Sequence, residues 1–143
     1  MDAHHFDDSA HRTGAADARP VIGIVPTQVP EEGVVRVNDH YIKAVIAAGA
    51  VPVVLPISSD PSVYESLFPL MNGFILTGGQ DIDPARYGGP STYEKLSELT
   101  PMREEVECLV LSYAYRFDIP TLGICYGMQL INEHFGGIVL PEV

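Results

Sequence analysis

Hydrophobic positions along this chain fall into short continuous runs, separated by longer stretches with helical spacing. "VIGIVP" from Val21, "VPVVLP" from Val51, "GFILTGG" from Gly73 and "IPTLGIC" from Ile119 are apolar almost throughout. A strand with one wet face alternates, whereas a strand buried on both faces reads as an unbroken apolar run. Between these runs lie helical patterns. In "RVNDHYIKAVIAAGA", Val37, Tyr41, Val45 and Ala48 share one stripe, and Gly49 supplies a stop. "DPSVYESLFPLM" opens with Asp60 as N-cap and Pro61 at the first helical position. Thr100-Pro101 starts a longer helix to about Phe117, striped by Val106, Leu109 or Val110, Tyr113 and Phe117. "YGMQLINEHF" is the helix after the fourth strand, and "GGIVLPEV" reads as the start of a fifth. Apolar strands alternating with helices predict an α/β fold: a three-layer, doubly wound, mostly parallel sheet. Residues 1–20 show no periodicity and read as a flexible tail, leaving 21–143 as one domain.

Composition narrows the functions without choosing one. A chain of 143 residues holds one ordinary domain, and 46% hydrophobic content supports a packed core. Eight Lys plus Arg against nineteen Asp plus Glu give a net charge of −11. Such a surface repels phosphate backbones and anionic lipids, so no nucleic acid and no membrane partner is expected. Cys108 and Cys125 form neither a disulfide framework nor a metal-ligand spacing, so reduced thiols, no metal and no cofactor are expected. His4, His5 and His11 in the tail read as solvated side chains in preference to a metal site. The N-terminus lacks the apolar stretch of a secretory signal, and Ala44 to Leu55 is too short and too broken to span a bilayer. The expected location is the cytoplasm.

In open α/β sheets ligands gather beyond the C-terminal ends of the strands. Two segments fall there: "TGGQDIDP" after the third strand, and the corner Gly123-Ile124-Cys125-Tyr126-Gly127 after the fourth. Glycines two residues either side of a side chain give room for a sharp strand-to-helix turn, as in the nucleophile elbow of hydrolases. A thiol there stands at a helix N-terminus, which favours thiolate, with the Tyr126 N–H available to an oxyanion. A small buried hydrophobe at a strand end fits the same five residues, and on them alone both readings stand. Cys108 has only helix around it and reads as packing. Gly78 and Gly79 can present backbone N–H groups to an oxyanion. Asp81 and Asp83 read as turn formers ahead of Pro84. Gln129 lies one turn beyond Tyr126, on a polar stripe with Asn132 and Glu133. No glycine-rich dinucleotide fingerprint follows the first strand, which places a flavodoxin-like cofactor binder last among the alternatives.

From Val21 onward the chain resembles the N-terminal part of class I glutamine amidotransferase-like proteins, nearest to the γ-glutamyl-γ-aminobutyrate hydrolase, or peptidase C26, branch. The likeness is carried by "HYIKAVIAAGAVPVVLP", "MNGFILTGGQDIDPARYG" and "IPTLGICYGMQLINEHFGG", in family order. The resemblance implies a flavodoxin-like fold and a γ-glutamyl amide hydrolase working through a glutamyl-thioester. It further implies Cys125 as nucleophile, Gly78 and Gly79 in the oxyanion loop, the Tyr126 backbone as second donor, and Gln129 as a holder of the glutamyl group. Two features depart from the family. The hydrolase branch commonly carries arginine after the nucleophile, where this chain has Tyr126; Cys-Tyr-Gly-Met-Gln is similar to the glutaminase domain of GMP synthetase. The family's downstream His-Pro-Glu-like segment is absent from these 143 residues, and neither His40 nor His134 substitutes. His134 lies about 13 Å along a helix from Cys125 at 1.5 Å per residue. The expectation is a truncated domain, prone to self-association or completed by a C-terminal half, with a glutaminase-type subunit or a non-catalytic remnant as alternatives.

Overall fold

The four apolar runs form one parallel sheet. A computed structural model describes residues 18–78 and 101–138. Its strands are β1 (Val21–Val25), β2 (Thr27–Val29), β3 (Val34–Arg36), β4 (Val51–Val54), β5 (Gly73–Leu76) and β6 (Thr121–Gly123). Its helices are α1 (Asp39–Ala47), α2 (Pro61–Leu67), α3 (Pro101–Phe117) and α4 (Tyr126–His134). The main sheet has the order β4-β1-β5-β6, all parallel. The chain moves outward from β1 to β4, then returns past β1 to β5. That reversal leaves a crevice beyond the C-terminal ends of β1 and β5.

Alternation along each strand divides the core into two faces. Ile22, Ile24 and Ile75 point towards α1, where they meet Val45, Ala50, Tyr41 and Ile42. Val25, Phe74 and Leu76 point the other way, into a larger core filled from α2, α3 and α4. There Phe68 is the hub, its ring 5.2–5.3 Å from those of Tyr64, Phe74 and Tyr113. The expected three-layer, flavodoxin-like α/β fold is what forms.

Local signals behave as their chemistry dictates. Asp60 caps α2 by accepting the Ser62 N–H at 3.0 Å, and Pro61 occupies the first turn. Gly49, at φ +85°, ends α1. The small antiparallel hairpin β2–β3 was not among the expected elements. It turns through the 3-10 segment Pro30–Glu32 and Gly33 at φ +66°, with its second strand fully exposed. Three-residue strands without an alternating apolar set leave no periodic trace. Residues 1–17 of the proposed 1–20 tail, the Asp81 and Asp83 turn, and residues 139–143 of the fifth-strand segment lie outside the described residues. Among the described residues, no helix is long and apolar enough to cross a membrane.

Candidate active site

The polypeptide leaves β6 and enters α4 with only Ile124 and Cys125 between them. So abrupt a corner forces Cys125 to φ +52° and ψ −108°, a left-handed conformation that costs a residue bearing Cβ about 1–3 kcal/mol. The glycines beside it are sterically required. A Cβ at Gly127 would stand 2.3 Å from the Leu76 carbonyl oxygen, and one at Gly123 would stand 2.7 Å from the Gly127 carbonyl oxygen. Only by pressing α4 directly onto β5 and β6 can the turn be this tight. Cys125 is exposed, which removes the buried-hydrophobe reading. Cys108 is half-buried on α3, and burial followed by the Glu104 carboxylate pushes its thiol up. That environment suits packing, not nucleophilic use.

The loop leaving β5 faces this corner. A Cβ built on Gly78 would lie 3.5 Å from Cys125 Cβ, so the two backbones approach closely. The Gly78 N–H donates to the Tyr41 hydroxyl at 3.0 Å. Gly79 lies outside the described residues. Tyr126 opens α4; as the first helical residue, its N–H has no acceptor within the helix. Its phenol is pushed up to about 12 by burial first, then by the Glu107 and Glu104 carboxylates. It therefore stays protonated and is no base for the thiol. Gln129 is exposed on α4, its backbone N–H donating to the Cys125 carbonyl at 3.1 Å. His134 ends α4, exposed, its ring against Phe135; His40 is exposed in the first turn of α1. Among the described residues, no group of three or more His, Cys, Asp or Glu side chains is gathered for a metal ion.

Sequence reasoning missed a buried ion pair under the corner. Arg103 and Glu107 on α3 are 3% and 0% exposed, with Nε 2.8 Å from Oε1. The guanidinium also donates to Thr27 Oγ1 at 3.1 Å and to the Thr77 carbonyl at 2.9 Å, and its carbon lies 4.9 Å from the centre of the Tyr126 ring. Burial pushes the Glu107 carboxyl up to about 7, although Arg103 pulls it down. The available signal was register: positions 103 and 107 continue the stripe of Val106, Val110 and Tyr113. Charged residues are ordinarily assigned to the wet face, and here that habit misleads.

A doubly wound sheet carrying a strained, glycine-flanked cysteine against a glycine loop has the fold of class I glutamine amidotransferase-like domains. The chain belongs to the peptidase C26 family, whose sequence signature matches residues 20–143. It is 35% identical over 134 residues to a glutamine amidotransferase-like protein of Rickettsia prowazekii, covering 87% of this chain and 47% of that one. It is 34% identical over 131 residues to the protein NtpR of Enterococcus hirae, covering 87% and 54%. A 27-residue stretch is 63% identical to the glutamine-hydrolysing GMP synthase of Aliarcobacter butzleri, covering 19% of this chain and 5% of that one. The chain spans about half the length of the longer-matching relatives. The family is thus shown, and the matched region lies within a class I glutamine amidotransferase-like domain.

Proposed function

We propose that the protein hydrolyses γ-glutamyl amides, with Cys125 as the nucleophile. The observation that carries this reading is the exposed thiol at φ +52° on the two-residue corner between β6 and α4. Asp118, at φ +55° between α3 and β6, is the other non-glycine residue at positive φ among the described residues, but aspartate tolerates that region, as cysteine does not. In the proposed reaction the thiolate attacks the γ-carbonyl and the developing oxyanion is held by the Tyr126 N–H and the Gly78-Gly79 loop. The C–N bond then breaks, the amine leaves with a proton, and water hydrolyses the glutamyl-thioester. At rest the Gly78 N–H is engaged by Tyr41, so oxyanion binding there exchanges one acceptor for another. Gln129, one turn along α4, is proposed to hold the glutamyl group. The histidine and glutamate that complete such a triad are proposed to come from a complementing C-terminal half, since the relatives are about twice as long. β6 ends the sheet among the described residues, and Leu122 on it is 57% exposed, an edge suited to such a partner or to self-association.

The test is hydrolysis of γ-glutamyl-p-nitroanilide by the chain with its complementing half, against Cys125→Ala. Loss of at least about 10⁴-fold is expected on removing the nucleophile; unchanged turnover in Cys125→Ala would exclude the reading. Cys-Tyr-Gly-Met-Gln and the GMP synthase stretch favour a second reading, a glutaminase-type subunit. Glutamine turned over in preference to the anilide would select it.

A further inference from the structure

The Arg103–Glu107 pair has no part in the chemistry above, yet it touches every segment that frames it. Arg103 reaches Thr27 at the start of β2, the carbonyl of Thr77 just beyond β5, and the ring of Tyr126 directly after Cys125. The Gly78 carbonyl lies 3.5 Å from the same guanidinium nitrogen. A trans peptide carries its N–H opposite its C=O. Holding the Thr77 carbonyl from the α3 side therefore turns the Gly78 N–H the other way, to the α1 side, where Tyr41 receives it. Glu107, on the same helix one turn later, pairs with the guanidinium by charge from behind, Oε1 lying 2.8 Å from Nε. A planar five-donor fork meets these directions at once, which a point-like ammonium cannot.

We propose that Arg103, oriented by Glu107, is a positioning residue that sets the glycine loop after β5 and the elbow after β6 at the mutual spacing an oxyanion hole needs. It acts through Thr77, Gly78 and Tyr126 and does not itself touch substrate. The proposal rests on Cys125 being an acyl-accepting thiol, but not on the γ-glutamyl specificity, because an oxyanion hole is indifferent to the acyl chain.

Two reactions of the same sulfur separate positioning from folding. Acylation by p-nitrophenyl acetate passes through a tetrahedral oxyanion: the thiolate forms a C–S bond, the C–O bond breaks, and p-nitrophenolate leaves. Alkylation by iodoacetamide displaces iodide and develops no oxyanion. Both are measured on the full chain at about pH 9, above the ordinary thiol pKa, with the Cys125→Ala background subtracted. Removing the cation alone strands a buried carboxylate, so Arg103→Lys and the neutral double variant Arg103→Met/Glu107→Gln are used together. In both, acylation is expected to fall about 10- to 100-fold, less than the loss of a whole donor, with alkylation within about threefold of wild type. Acylation that stays within about threefold overturns the role. Acylation and alkylation falling in parallel also overturns it, since Arg103 would then only maintain the fold. A wild-type Cys125 that alkylates but is never acylated sinks both this role and the thioester reading. Acylation by the acetate ester without turnover of γ-glutamyl amides sinks the substrate reading alone.

Discussion

Two corners of this sheet carry the chain from a strand into a helix on the same face, and they are built in opposite ways. From β4 to α2 the chain takes six residues, Leu55 to Asp60. Asp60 caps the helix, and the buried Tyr64 hydroxyl ties the loop down, donating to the Pro56 carbonyl at 2.7 Å and accepting the Ser58 N–H at 2.8 Å. No residue there has a positive φ. From β6 to α4 the chain takes two residues, the Cys125 side chain makes no cap, and Cys125 is held at φ +52°. What ties that corner down is a buried charge, Arg103, in place of a neutral phenol. The relaxed corner satisfies its own backbone locally. The strained one has, among the described residues, no side-chain cap at its helix N-terminus beside the exposed thiol, and depends on distant elements for its shape.

Substitutions that attack this contrast should differ in size. Gly127→Ala is expected to be the most damaging, because its Cβ would meet the Leu76 carbonyl oxygen at 2.3 Å. Such overpacking costs at least about 3 kcal/mol, read as a lower urea midpoint at unchanged slope. Next comes the buried charge. Glu107 has a folded pKa raised from the ordinary 4.5 to about 7, so the folded state holds its proton more tightly than the unfolded chain. Stability therefore falls as pH rises from about 4.5 through 7, and the full penalty, on the order of 3 kcal/mol, applies above that window. Glu107→Gln should remove this slope: its stability relative to wild type rises with pH, and parallel curves would refute the assignment. Third, Cys125→Gly should be more stable than Cys125→Ala by about 1–2 kcal/mol, since alanine, unlike glycine, is strained at φ +52° with ψ −108°. Equal stabilities would mean that the corner relaxes. Smallest is Tyr64→Phe at the relaxed corner, about 1 kcal/mol, with no pH dependence between 4.5 and 7 because burial raises that phenol further from titration.

The pattern of apolar runs was enough to place the parallel sheet, its flanking helices and the Asp60 cap, because each depends on neighbours within a turn or a strand. The elbow was legible for a similar reason: Gly123, Cys125 and Gly127 sit within five residues. Its purpose was not, and only the exposure and strain of Cys125 set aside the packing alternative. The hairpin β2–β3 escaped notice because Val34 and Val35 are exposed and its strands have only three residues each.

Arg103 and Glu107 mark the boundary most clearly. Their i, i+4 spacing is written in the chain, and so is their register with Val106 and Val110. Whether such a pair lies in water or under the cysteine corner depends on Thr27, Thr77 and Tyr126, which come from three other segments. Local periodicity specifies strands, helices and a tight turn, since those follow from backbone sterics and the burial of one face. The meeting of the glycine loop with the cysteine corner, and the buried cation that spaces them, follows only from the order in which β1, β5 and β6 lie side by side.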